Sequence, residues 1–133
     1  HEKIKIIKEL IKRKRYRQHL GIDYFTDYIE VPERFSCDEP EKLDESIKIQ
    51  LKNAKAKIFL FGIGISKLAV AHNFKKHYPA IYIDIGGTMS GLAGFLAKDR
   101  PYAVNWINFR LSNYDYSKVD KMDTKKNENI KWL

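Results

Sequence analysis

The sequence predicts an α/β fold built on a mostly parallel sheet, and three observations carry that prediction. Two short runs, the wholly apolar Ile58–Phe61 and residues 81–85, apolar but for Asp84, have the hydrophobicity of strands covered on both faces. Between them lie a glycine-containing turn and a helix-like segment, so strand, helix and strand succeed one another within about 28 residues, the span of a right-handed βαβ crossover. Upstream, Leu43, Ile47 and Leu51 recur every four residues and give a helix a buried stripe. Together they point to a three-layer, Rossmann-like domain with helices above and below the sheet.

The 133 residues, 44% hydrophobic, supply one compact core and too little for two. We therefore expect a single domain over 1–133, with a basic helix at 1–20, a core at 28–111 and a tail at 112–133. The chain opens on His1 without an initiator Met, which suggests a piece of a larger protein. The apolar run at 58–65 is far short of the roughly 20 residues a membrane-spanning helix needs, so no membrane span is expected. Cys37 is the only cysteine; with no intrachain disulfide available, a reducing, cytoplasmic setting is the natural expectation.

The elements can be taken in chain order. Residues 2–19 read as a first helix stopped at Gly21, with Ile4, Ile7, Leu10 and Ile11 on one side. Residues 23–31 (DYFTDYIEV) are aromatic and β-branched and suit a strand ended by Pro32. Ser36, with Glu39 three residues later, forms a capping-box pattern for a helix running to about Lys55, with Pro40 tolerated in its first turn. After the first apolar strand, Gly62 and Gly64 make a turn, and Ser66 is placed to cap a helix reaching His77, with Leu68, Ala69, Ala71 and Phe74 as its apolar contacts. Gly86 and Gly87 come directly after the second strand, and Thr88 can cap a short helix through Leu96. Residues 102–111 (YAVNWINFRL) alternate enough for another strand, with Val104, Trp106 and either Ile107 or Phe109 inward. The polar, aperiodic stretch from Ser112 reads as an extended tail.

Charge is concentrated at one end. Residues 1–17 carry eight cations against Glu2 and Glu9, six of the chain's eight net positive charges. An anionic partner at this helix, RNA or another polyanion, is one reading; an amphipathic helix whose solvated side happens to be basic is the other.

In a βαβ unit the first strand delivers the chain to a helix amino end, where free N–H groups attract phosphate and glycines permit close approach. Here the turn reads GIGISK: Gly62, Gly64, then Lys67 where a dinucleotide fingerprint has its third glycine. Asp84 lies twenty residues after Gly64 at the end of the second strand, a position from which an acid accepts a hydrogen bond from a ribose hydroxyl. Gly62, Gly64, Ser66, Lys67, Asp84, Gly86 and Gly87 are therefore the candidate ligand residues. The alternative is that the glycines only permit a tight turn and Asp84 caps the segment after it. Downstream, Arg100 is a candidate diphosphate clamp with Tyr102 beside it, against the plainer reading of a surface arginine before a strand.

YIEVPERFSCDEPEKLDESI, KIFLFGIGISKLAVAHNF and YIDIGG resemble the carboxyl-terminal half of the GT-D type glycosyltransferases over residues 28 to about 95. The resemblance implies a nucleotide-sugar-dependent transferase acting on a surface glycan or glycoprotein, with Gly62, Gly64, Ser66, Asp84 and Gly86 near the donor. It also implies a divalent metal held by a D-x-E motif in a missing amino-terminal half, and no D-x-E or D-x-D occurs in this chain. After IDIG, where the family continues with a histidine and an acidic-aromatic stretch, this chain reads GTMSGLAGF. His1, His19, His72 and His77 match no metal-ligand spacing, and Glu39, Glu41, Asp44 and Glu45 sit where a helix dipole favours acids. Two other functions suit the same residues: a nucleotide- or S-adenosylmethionine-binding module of methyltransferase type, and a non-enzymatic polyanion-binding domain.

Overall fold

A computed structural model describes residues 2–31, 38–95 and 104–117. The elements are α1 (Glu2–Leu10), α2 (Lys14–Leu20), α3 (Pro40–Leu51), β1 (Ile58–Phe61), α4 (Lys67–Val70), α5 (Phe74–His77), β2 (Ile81–Asp84), α6 (Thr88–Leu92) and α7 (Val104–Ile107), with 3-10 turns at Gly64–Ser66 and Ala71–Asn73. The chain is thus mixed α/β with a two-stranded parallel sheet among the described residues, paired from Ile58↔Ile81 to Phe61↔Asp84. Among those residues no helix is long and apolar enough to cross a membrane. Two apolar clusters hold the fold together. One joins α1, α2, α6 and residues 109–116 around Leu10 and Tyr16; the other packs α3 and the crossover on the sheet through Leu43, Ile47, Leu51, Phe59, Val70 and Phe74.

The expected first helix is two helices. Gly21 ends the second in the left-handed conformation at φ 69°, as its residue type suggested. The break at 11–13 has a local cause: the Arg17 guanidinium donates to the carbonyls of Ile11 and Lys12 at 3.1 and 2.8 Å, satisfying groups that a helix end leaves free. The bend lets Tyr16 turn inward, fully buried, with its hydroxyl donating to Leu92 O at 2.7 Å.

Residues 23–31 join no ladder among the described residues. Their polar groups are taken by side chains instead: Gln50 of α3 accepts from Glu30 N–H at 2.8 Å and donates to Glu30 O at 2.9 Å. Asp27 accepts from the N–H groups of Lys55 and Ala56, which helps explain why α3 stops at Leu51 rather than near Lys55. Its stripe of Leu43, Ile47 and Leu51 is buried as the spacing predicts, while Pro32 and the Ser36 cap lie outside the described residues.

Both strands fall where the apolar runs place them, but the described residues cover the sheet on one face only. Phe59, Phe61 and Tyr82 meet the second cluster, whereas Ile58 (54% exposed), Leu60, Ile81 (58%) and Ile83 face outward. The crossover, expected as one helix, is a chain of single turns. Asn73, a poor helix residue whose side chain bonds elsewhere, donates to Asp44 Oδ2 of α3 at 3.2 Å, and His77 Nε2 sits 3.0 Å from Asp44 Oδ1. Val70 and Phe74 turn inward, Ala71 packs partly, and Leu68 and Ala69 are exposed.

The strand expected over 102–111 is overturned where it is described. Val104–Ile107 is helical, and Phe109 and Arg110 close turns onto Trp106 and Ile107 carbonyls. Trp106 and Phe109, three apart, both meet Tyr16 and His19, so the apparent alternation was a helical turn's spacing. Nor is the start of the tail free of structure: Tyr116 is buried in the first cluster, and its hydroxyl accepts from Leu111 N–H at 3.3 Å.

Candidate functional site

The carboxyl ends of β1 and β2 bring most of the predicted ligand residues together. Gly62 leaves β1 and Gly86 leaves β2, and the two turns touch. A Cβ at Gly62 would run into Gly86 O and come within 3.0 Å of Met89 Cβ, so the contact needs glycine there. Gly64 adopts φ 60° with open space around it, and Gly86 adopts φ 49°. Gly64 and Gly87 are exposed.

Lys67, in the first turn of α4, reaches across to Asp84 and donates to its Oδ2. Asp84 Oδ1 accepts from Gly86 N–H at 2.9 Å, an Asx-type closure of the second glycine turn. The Lys67 ammonium first, and the Gly86 N–H after it, hold the Asp84 carboxyl below the usual carboxylate range. Asp84 and Lys67 are thus an exposed, preformed ion pair at the lip of two glycine turns. With the folded pKa depressed, the pair's contribution is present at neutral pH and is lost as pH falls from about 4 through the lowered value. Lys67→Met should raise the Asp84 pKa toward its ordinary value in a carboxyl NMR titration while leaving global stability little changed, because exposed pairs contribute little.

Several predicted residues take other roles. Ser66 does not cap a helix: its backbone is helical, it makes no side-chain cap bond, and it is buried beneath the turn. Gly87, not Thr88, holds the cap position of α6, whose five residues end at Leu92. Arg100 lies outside the described residues. The helix amino ends here belong to elements of three to five residues, so the dipole a long helix would lend a phosphate is small.

Among the described residues no three His, Cys, Asp or Glu side chains come together as a metal cluster. Three of the four acids at the start of α3 are engaged elsewhere: Glu39 with Lys42, Glu45 with Lys48, and Asp44 with His77 and Asn73. Asp84, the carboxylate at the glycine edge, has a lysine on it, so the described residues do not fit a divalent ion at that place.

At the basic end, Lys12, Arg13, Lys14 and Arg15 are exposed. Arg13 reaches the Arg110 carbonyl at 3.5 Å, Arg15 lies 5.5 Å over the Phe109 ring, and Lys12 pairs with Glu9. Arg17 is committed to the end of α1, so the free basic surface is smaller than the sequence count.

The feature that sequence reasoning missed is a groove of about 880 Å³ between the two apolar clusters. It runs along β1 and the segment 22–31, reaches Gly62 and Gly64, and does not include Lys67, Asp84, Gly86 or Gly87. Its signal was the aromatic and apolar composition of residues 23–31, read as a strand when it is a groove wall. Compared with known families, curated proteins and solved structures, the chain matches no family model, no curated protein and no solved structure.

Proposed function

We propose that this chain is the donor-side half of a nucleotide-sugar-dependent glycosyltransferase, binding the donor at the glycine edge of its parallel strands within a larger Rossmann-like, three-layer domain. The observation that supports this most is the contact of the two glycine turns at the carboxyl ends of β1 and β2, with Lys67 and Asp84 paired on their lip. Ligands of open parallel sheets collect at such ends. In this reading the diphosphate draws the Lys67 ammonium off Asp84, and the freed carboxylate accepts a hydrogen bond from a ribose hydroxyl. One ion pair thereby exchanges for two ligand contacts, and the exposed glycines Gly64 and Gly87 let the donor approach the backbone. A divalent ion, where the reaction uses one, comes from residues other than those described. The glycan acceptor meets the donor from the companion half.

Isothermal titration of the chain with UDP- and GDP-sugars tests the reading. Binding that weakens at least tenfold in Asp84→Asn is expected. Absence of heat at millimolar nucleotide sugar defeats it, and binding of S-adenosylhomocysteine with no response to UDP reassigns the edge to a methyltransferase-type cofactor.

A further inference from the structure

We propose that the free edge of β1 is a docking site for an extended strand from a separate polypeptide, which joins the sheet as its third member. Ile81 and Ile85 donate their N–H groups to Lys57 O and Phe61 O across the parallel pair. Donors and acceptors alternate between the two sides of a strand, so Ile58 and Leu60 direct theirs to the opposite edge. Among the described residues nothing hydrogen-bonds to Ile58 or Leu60 on that side. The edge opens into the 880 Å³ groove, whose far wall includes Ile4, Ile7, Tyr24 and Tyr28. A ladder edge left unpaired beside an apolar trough is a template for strand addition, which supplies those backbone groups with partners.

The groove also says what kind of chain enters. Residues 57–64 line it, and the strand within them, Ile58–Phe61, offers about 13 Å of edge at roughly 3.3 Å per residue. Its charged lining residues are Lys3, Asp27 and Lys57. Asp27 is taken by the N–H groups of Lys55 and Ala56, whereas Lys57 has no acidic partner among the described residues. The complementary strand therefore alternates apolar residues on the side facing Phe59 and Phe61 and carries a carboxylate beside Lys57. A second copy of this chain is a poor occupant, because its own β1 edge lies inside the same kind of trough. A small apolar ligand fills the volume but leaves the Ile58 and Leu60 amides unpaired.

The proposal is independent of the glycine edge, and its test keeps the two apart. The full chain, labelled with 15N, is challenged with a library of eight-residue peptides that alternate Val, Ile, Thr or Leu with Ser, Lys or Glu. Enriched peptides should carry Glu and slow hydrogen exchange of the Ile58 and Leu60 amides at least tenfold. Methylating alternate amide nitrogens of the same peptide should abolish that protection. Leu60→Pro removes a donor on the free edge but none that pairs with β2, so circular dichroism should be retained while peptide affinity falls at least tenfold. Lys57→Glu should move the library's preference from Glu to Lys. Failure of every peptide to protect Ile58 and Leu60, or equal binding by the N-methylated form, overturns strand addition.

Discussion

Tyr16→Ala should cost about 3–5 kcal/mol, a large part of the 5–15 kcal/mol that holds a typical small domain together. Tyr16 is fully buried, its ring meets Trp106 and Phe109 edge-on at 6.2 and 5.6 Å, and its hydroxyl ties α2 to the end of α6. The alanine variant loses the packing and leaves a cavity between those elements. Tyr16→Phe separates the two contributions: the ring stays, the Leu92 carbonyl loses its donor, and about 1–3 kcal/mol should go. The same hydroxyl sets an alkaline limit. Burial first, then the neighbouring phenols of Tyr28 and Tyr116, pushes its pKa up. A group whose pKa is raised by folding stabilises the fold fully below its unfolded value, so stability should fall as pH climbs above about 10. Urea denaturation of wild type, Tyr16→Ala and Tyr16→Phe at pH 7 and pH 11 checks both statements, and a Phe variant with undiminished alkaline sensitivity contradicts the assignment to Tyr16.

Gly62→Ala should be the most damaging single methyl at the glycine edge. The added carbon meets Gly86 O and Met89, backbone and a tightly held side chain, so the two turns must separate. Overpacking of this kind costs about 1–3 kcal/mol. Gly64→Ala is the matched control: its φ of 60° imposes strain of about 1 kcal/mol, but the methyl points into open space. Affinity for a UDP-sugar should fall at least tenfold in the first variant and much less in the second, with stability measured in parallel by denaturant titration. A Gly62→Ala protein as stable as wild type, with wild-type affinity, removes the contact of the two turns from the site.

Both strands of the sheet and the positions of most helices were legible, while the breaks within the helices were not, for a physical reason visible in particular residues. Ile58–Phe61 and the run from Ile81 are short and bounded by polar or glycine punctuation, so a local signal sufficed. The α3 stripe was likewise local. The other helices were broken by tertiary contacts: Arg17 folding back on α1, Asp44 reaching over to Asn73 and His77, Gln50 and Asp27 holding a segment that otherwise reads as a strand. Gln50, Asp27 and Asp44 lie twenty or more residues from the groups they hold, outside any local window, and Arg17 acts over five and six residues, beyond the i, i+4 reach of a helical pattern. At the candidate site, the Gly62, Gly64 and Asp84 pattern located the edge. The Lys67 bond to Asp84 could not be read from spacing, since it depends on where the turn at Gly64–Ser66 points the next side chain.

The bare face of the sheet has a bearing on how this molecule behaves in bulk. Ile58, Leu60, Ile81 and Ile83 form an oily plate on a particle carrying eight net positive charges. At low ionic strength the like charges oppose contact between such plates, and at 0.15 M salt the screening length shrinks to about 8 Å and that opposition weakens. Dilute buffer is therefore expected to disperse the chain better than brine, which light scattering across a salt series checks.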